Sequence, residues 1–148
     1  MLAVISIFFA VITSLVVLQN LPAQEQRMIA AVADVEATSA LAYRESLITY
    51  LNQNAGFSGV VPDTSLTLLW GHVRTAHWTN IVSGGALYVY EASPTQDQTV
   101  LDTLYTKTNK SFMVGRNVSG TLMSAKGLNT SIAIPVAVPN GSIVIFGK

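Results

Sequence analysis

The hydrophobic and polar positions of the chain fall into three sections, and the first is an almost unbroken apolar run. Residues 1–18 read MLAVISIFFAVITSLVVL, and no charged side chain occurs before Glu25. As a helix, this run would extend about 27 Å, close to the hydrocarbon thickness of a bilayer. It therefore predicts a membrane anchor over residues 1–20. The apolar side chains of the predicted anchor are Leu2, Val4, Ile5, Ile7, Phe8, Phe9, Val11, Ile12, Leu15, Val16, Val17 and Leu18.

The apolar run has three interpretations. A cleavable signal peptide ordinarily has Lys or Arg before the run, but none precedes it here, and Leu21-Pro22-Ala23 is a poor cleavage site. A type IV prepilin has a short basic leader, a cleavage Gly and an early Glu in the mature helix, which this sequence does not show. We expect an uncleaved anchor with the domain outside the cytoplasm, because that domain is polar and sparsely charged.

The second section, residues 21–55, repeats apolar side chains at helical spacing. They are Met28, Ile29, Val32, Val35, Tyr43, Leu47, Ile48 and Leu51, with most charged residues lying between them. Pro22 suits the first turn of a new helix, and Asn54 with Gly56 supplies a C-terminal stop. This pattern predicts an amphipathic stem helix.

The third section alternates short β-branched or aromatic runs with turn residues, which is typical of strands. The predicted strands are Leu66–Trp70, His77–Val82, Ala86–Tyr90, Ser111–Val114, Thr121–Met123, Ser131–Val138 and Ser142–Phe146. Two turn sequences, Ser83-Gly84-Gly85 and Pro139-Asn140-Gly141, each predict a hairpin between the strands on either side.

One further short helix is predicted between the strands. Ser93 is a capping residue and Pro94 suits the first helical position, while Lys107–Lys110 end the helix. Its buried stripe comprises Val100, Leu101, Leu104 and Tyr105. The elements together predict an α+β fold, in which an N-terminal transmembrane helix continues into a long amphipathic helix, packed on a mainly antiparallel sheet with the short helix. The α+β domain is expected to occupy residues 56–148.

Charge is sparse and unevenly distributed along the chain. Charged residues make up 11% of the sequence, whereas typical soluble domains have about 25%. Residues 25–102 contain eight acids and three bases, a net charge of −5, and residues 103–148 contain five bases and no acid. Either the two halves neutralise each other within the fold, or a dipolar surface docks onto another copy or an acidic partner. Five scattered bases form no stripe, so we expect no nucleic-acid binding.

The residue patterns typical of catalysis or metal binding do not occur in the sequence. Cysteine is absent, and His72 and His77 are five residues apart, which is not the i, i+4 spacing of zinc ligands on a helix. There is neither a Gly-x-Ser-x-Gly nucleophile motif nor a Gly-rich phosphate loop. We therefore expect no enzymatic activity, no cofactor and no small-molecule substrate.

Several segments in this order resemble one known family. They are the N-terminal run MLAVISIFFAVITSLVVLQN, an Ala-rich helix, the strand GGALYVYE and the terminal segment IPVAVPNGSIVIFGK. The chain resembles the PilM family of type IVb thin-pilus systems of conjugative plasmids and enterobacteria, distinct from the larger actin-like protein of type IVa pili that shares the name. The resemblance implies an accessory protein of pilus assembly in the bacterial inner membrane, with a periplasmic domain that binds other assembly proteins.

The resemblance supplies no site residues, so interface candidates come from residue type alone. Aromatic residues dominate interface hot spots, which nominates Trp70, Trp78, Tyr88 and Tyr90 if they are exposed. Lys107 and Lys110 are candidates for electrostatic docking. The expected partners are membrane lipid, other pilus assembly proteins and a second copy of the chain. The alternatives are a pilin-like or secreted filament subunit with a processed stem, and a membrane-tethered sensor, which would need a well-formed pocket.

Overall fold

The computed structural model describes residues 2–67 and 77–147, with side chains described from residue 22 onward. The chain forms two compact units, Met1–Val32 and Ala33–Lys148. Helix α1 runs from Leu2 to Gln53 and supplies all the described residues of the first unit. The predicted anchor side chains, from Leu2 to Leu18, lie outside the described ones. Within the part of the chain that is described, no helix is both long enough and apolar enough to cross a membrane.

The second unit combines the C-terminal part of α1 with a six-stranded sheet and one further helix. After a short 3-10 turn at Asp63–Ser65, the elements are β1 (Trp78–Ser83), β2 (Ala86–Glu91), α2 (Gln98–Lys107), β3 (Val114–Val118), β4 (Thr121–Ser124), β5 (Asn129–Ala133) and β6 (Ile143–Phe146). The strand order is β1-β2-β6-β3-β4-β5, and every neighbouring pair is antiparallel. This confirms the α+β class and the predicted antiparallel sheet.

The larger core lies between the helices and one face of the sheet. The buried hydrophobic side chains of α1 are Ala33, Ala37, Ala40, Tyr43, Leu47 and Leu51, which recur every three or four residues on one side of the helix. They pack with Val100, Leu101 and Leu104 of α2 and with Leu87, Val89, Ile143 and Ile145 of the sheet. Each fully buried Leu contributes about 2 kcal/mol to folding. The first half of the predicted apolar stripe does not join this core, because Met28, Ile29, Val32 and Val35 are exposed.

A smaller core covers the opposite face of the sheet. It consists of Tyr88, Tyr90, Leu122, Ile134, Val138 and Val144. Ile134 and Val138 come from the segment that follows β5, so this segment packs across the sheet and covers its second face. The sheet is therefore buried on both sides near its centre, which agrees with the almost continuous burial of β2.

A buried amide ties α1 to the edge of the sheet. Asn80 on β1 is 1% exposed, and its Nδ2 donates to the Tyr43 hydroxyl at 2.6 Å and to the Val61 carbonyl at 3.0 Å. Its Oδ1 accepts from the Val61 amide at 2.9 Å, so the whole side-chain amide is satisfied. Tyr43 in turn donates to Asp63 at 3.3 Å. These bonds fix Val61 and Asp63 beside α1 and β1.

The first predicted hairpin is confirmed. Ser83 pairs with Ala86, which leaves a two-residue turn formed by Gly84 and Gly85. Their φ angles are +60° and +78°, the left-handed values that a type I′ turn requires at both positions.

The predicted start of the short helix is wrong. Helix α2 begins at Gln98, and its N-cap is Asp97, whose Oδ1 accepts from the amides of Thr99 and Val100. Ser93 and Pro94 lie outside the helix because Gln96 has a φ of +56°, which no helix accommodates. The predicted buried stripe of α2 is confirmed.

The predicted terminal hairpin is also wrong. Strand β5 ends at Ala133 and pairs with β4, whereas β6 lies at the centre of the sheet between β2 and β3. The Asn140-Gly141 sequence instead belongs to a turn held by Asn117 of β3. The Nδ2 of Asn117 donates to the carbonyls of Val138 and Pro139, and its backbone carbonyl accepts from the Gly141 amide at 2.8 Å.

Three smaller boundaries also differ from the sequence expectations. Pro22 lies inside the continuous helix α1, where the sequence predicted a new start. Strand β3 begins at Val114, because residues 111–113 form a turn. Leu66 is outside any strand, and the remainder of the predicted strand Leu66–Trp70 lies largely outside the described residues.

Gly115 is the glycine at which we expect substitution by alanine to lower the free energy of unfolding most. A Cβ on Gly115 would overlap the backbone carbonyl of Met123 on the neighbouring strand. We expect Gly115→Ala to lower the free energy of unfolding by about 3 kcal/mol, as measured by urea denaturation. Gly120→Ala is the matched control: Gly120 has a φ of +81° but open space around it, so it should lose only about 1 kcal/mol. Equal losses in the two variants would contradict the steric explanation.

Candidate interaction surface

Trp78 is a core residue. It opens β1, is 1% exposed, and its indole Nε1 donates to Glu36 Oε2 of α1 at 3.3 Å. The bond satisfies the indole N–H beside the helix and orients the ring inside the larger core. Trp78 therefore does not meet the condition of exposure on which it was nominated as an interface residue. Trp70 lies outside the described residues.

Tyr88 and Tyr90 are buried on the second face of the sheet, so they do not meet the condition of exposure either. The Tyr88 hydroxyl donates to the Ala133 carbonyl at 3.2 Å, and its ring lies 5.2 Å from that of Phe146. Burial raises the pKa of both tyrosines above the ordinary value. Their side chains form the platform on which the segment after β5 packs.

Glu91 is a buried acid that sequence reasoning did not single out. It is 3% exposed, its Oε2 accepts from the Ile143 amide at 3.0 Å and its Oε1 accepts from the Thr95 hydroxyl at 2.7 Å. Its backbone carbonyl also accepts from the Ser142 hydroxyl at 2.9 Å. The only sequence signal was an acid placed directly after the apolar run of β2. Glu91 therefore holds the start of β6 through Oε2 and the segment after β2 through Oε1, so both carboxylate oxygens are used.

The two candidate lysines near the end of α2 differ in their surroundings. Lys107 Nζ lies 2.9 Å from Asp34 Oδ1 on α1, so this base of the positive half pairs with an acid of the negative half. An open polar depression lies beside this ion pair, lined also by Gln98, Thr99, Asp102, Thr103 and Thr106.

Lys110 is exposed beyond the end of α2. Its backbone and that of Asn109 are left-handed, with φ of +61° and +55°, and the Lys110 amide donates to the Tyr105 carbonyl at 2.7 Å. This bond closes the last turn of the helix and fixes the backbone from which the Lys110 side chain projects. Lys110 is therefore the better placed of the two lysines for contact with a partner.

An apolar groove, absent from the sequence expectations, lies at the β5 end of the sheet. It encloses about 400 Å³ and is lined by Phe112, Met113, Leu128, Asn129, Thr130 and Ile132. We call it the β5 groove. Its sequence signal was an apolar pair, Phe112-Met113, in a stretch predicted to be a short strand. Because β3 begins only at Val114, both side chains remain partly exposed.

Over residues 22–67 and 77–147, no three His, Cys, Asp or Glu side chains come close enough to hold a metal ion. His72 lies outside this part of the chain, so the prediction that His72 and His77 do not form a zinc site stays a prediction.

Six antiparallel strands with two helices packed on one face define a small α+β domain. A sequence model of the PilM family matches residues 7–146, and the chain belongs to this family of pilus biogenesis proteins. The match spans almost the whole chain and confirms the resemblance seen in the sequence.

Two crystal structures of proteins named PilM are similar to this chain. The protein from Escherichia coli B7A has a TM-score of 0.60 at 18% identity, covering 79% of this chain and 92% of that one, which shows a shared fold. The protein from Pseudomonas aeruginosa 2192 has a TM-score of 0.45 at 28% identity, covering 78% of this chain and 95% of that one. No curated protein matches the chain.

The raised tyrosine pKa values predict a loss of stability in alkali. A buried tyrosine with a raised pKa keeps its proton at a pH where the unfolded chain has released it, so stability is complete below the ordinary value of 10.0 and falls as pH rises through the raised pKa. Tyr90→Phe removes one such group. We expect its unfolding free energy to fall less steeply than that of the wild type as the pH rises above about 10. Parallel profiles in urea denaturation would contradict this assignment.

Proposed function

We propose that this protein is a non-enzymatic accessory component of type IV pilus assembly that acts by binding other assembly proteins. The observation that carries the proposal is the family match over residues 7–146. The hydrogen bonds made by the buried polar side chains support it. Glu91, Asn80 and Asn117 all have hydrogen bonds to backbone groups of neighbouring segments, as expected for structural roles.

We further propose that the protein is held in the inner membrane by residues 1–20, with residues 21–55 as a stem and residues 56–148 in the periplasm. The support is the sequence itself, since no charge occurs before Glu25 and the run of residues 1–18 has the length of a bilayer's hydrocarbon layer. Membrane lipid is then a partner of the N-terminal segment only.

Electrostatic docking through the end of α2 is part of the same proposal. Lys110 is exposed on a fixed backbone, while Lys107 is engaged by Asp34. An acidic surface on an assembly protein or on a second copy would complement Lys110 and the other bases of residues 103–148.

The intact mass of the protein from its own cells tests the anchor. We expect the protein to be found in the membrane fraction with residues 1–23 still attached, because the run lacks a good cleavage site. Mass spectrometry after detergent extraction gives the answer directly. Loss of about 23 residues would instead identify a released periplasmic protein or filament subunit, and the anchor would have to be abandoned.

Charge reversal at the end of α2 tests the docking surface. We expect Lys110→Glu to lower cross-linking to assembly proteins or to a second copy several-fold, with the melting temperature unchanged. Lys107→Glu combined with Asp34→Lys is the matched control, because it reverses a charge nearby but preserves the ion pair. The double variant Lys107→Glu, Lys110→Glu should lower cross-linking at least as much as Lys110→Glu alone. Unchanged cross-linking in a folded double variant would remove this surface from the proposal.

A further inference from the structure

The β5 groove exposes more apolar side chain than its surroundings. Phe112 is 56% exposed, Met113 49% and Leu128 55%, and the three converge on one groove. Scattered apolar residues on a surface are ordinary, but a contiguous apolar hollow is typical of a binding site. The β5 groove is therefore a candidate binding site.

The two walls of the groove are fixed by backbone hydrogen bonds. One wall is the turn before β3, where the Met113 carbonyl accepts from the Phe146 amide at 2.8 Å. The other is the turn between β4 and β5, where the Leu128 amide donates to Ser124 Oγ at 3.1 Å. The Ala125 amide donates to the Val114 carbonyl at 3.2 Å and joins the two walls. A groove built in this way pays little ordering entropy when a ligand enters.

The lysines that neighbour the lining residues in sequence indicate the chemistry of the occupant. None of the six lining residues is charged, but Lys110 and Lys126 stand two residues before Phe112 and Leu128. Residues 103–148, which supply every lining residue, contain no acid. Lys126 is held beside the fold, with its Nζ 5.2 Å from the centre of the Tyr105 ring. An occupant with apolar side chains and flanking carboxylates complements this arrangement.

The backbone of β5 makes strand addition a poor binding mode at this edge. Ser131 has a φ of +60°, and its amide donates to Asn129 Oδ1 at 2.8 Å, while the Ile132 amide donates to Thr130 Oγ1 at 3.3 Å. These amides are engaged locally and the strand is bent, as at edges protected from further pairing. Recognition must then use side chains. A hollow between two turns also suits a peptide segment better than the flat surface of a bilayer.

We propose that the β5 groove binds a segment of another pilus assembly protein, one that places apolar side chains between aspartate or glutamate residues. This inference rests on the proposed function and adds the place of contact and the chemistry of the partner. Apolar side chains of the segment fill the space between Phe112 and Leu128. Its carboxylates lie towards Lys110 and Lys126.

A labelled peptide tests the groove directly. The probe is a fluorescein-labelled peptide of alternating Glu and Leu residues, titrated with the full-length chain in detergent and followed by fluorescence anisotropy. We expect the wild type to bind the peptide and Leu128→Ser to bind it about tenfold more weakly, because the apolar contact between Leu128 and the bound peptide is lost. The matched control is Val60→Ser, since Val60 is equally exposed at 55% but lies next to β1, at the opposite end of the sheet. That variant should bind as the wild type does.

Two comparison peptides and a self-association measurement complete the test. A Lys–Leu peptide and a Glu–Ser peptide should both bind at least about tenfold more weakly than the Glu–Leu peptide, since each removes one half of the complementarity. Equal affinity of the Glu–Leu and Lys–Leu peptides, or of wild type and Leu128→Ser, would overturn the proposal. So would sedimentation showing a dimer that Leu128→Ser dissociates, because a second copy would then occupy the groove. Binding to vesicles of anionic lipid that depends on Leu128 would overturn it in favour of a membrane surface.

The results distinguish a failure of the groove proposal from a failure of the proposed function. If the Glu–Leu peptide does not bind but the full chain still co-purifies with pilus assembly proteins from its own cells, the groove is wrong and the proposed function stands. If neither occurs, both are wrong.

Discussion

Strand β6 joins the two parts of the sheet by pairing with β2 on one side and with β3 on the other. Without it, the hairpin β1-β2 and the meander β3-β4-β5 share no strand pairing. The pairing of Tyr88 with Phe146 closes a loop of more than fifty residues, so the last strand of the chain completes a structure begun much earlier. Contacts of such separation form slowly, because loop entropy is lost before they form. Both cores depend on β6, since Ile143 and Ile145 face one of them and Val144 the other.

Buried polar groups determine where β6 enters the sheet. Glu91, at the end of β2, binds the Ile143 amide with its carboxylate and the Ser142 hydroxyl with its carbonyl. Asn117, on β3, binds the carbonyls that precede the same strand. A shift of β6 by one residue would leave these groups unsatisfied in the interior and would exchange the side chains of the two cores. The register is thus specified twice, once by each neighbouring strand.

Local patterns predicted the parts of the fold that local forces determine. The Gly84-Gly85 turn and the stripe of α2 are examples, because a left-handed turn and a helical period are properties of adjacent residues. The prediction of the terminal hairpin was wrong for the opposite reason. Asn140-Gly141 has the local sequence of a hairpin turn, but Asn117, more than twenty residues away on a different strand, binds this turn.

The candidate site could be predicted only in part, because exposure is a property of the whole fold. The lysines near the end of α2 follow from the charge pattern. The burial of Tyr88 and Tyr90 does not, since it depends on the segment after β5 packing across the sheet. The β5 groove could not be predicted either, because it exists only where two turns of distant sequence come together.

Among the described residues, the bases of the positive half differ in whether an acid neutralises them. Lys107 of the positive half pairs with Asp34 of the negative half. Arg116 donates to the Gly141 carbonyl and Lys126 lies over the Tyr105 ring, so each of these bases is held by a group that carries no negative charge. Folding therefore positions these cations without cancelling them. Internal pairing with an acid therefore accounts for Lys107 but not for Arg116 or Lys126.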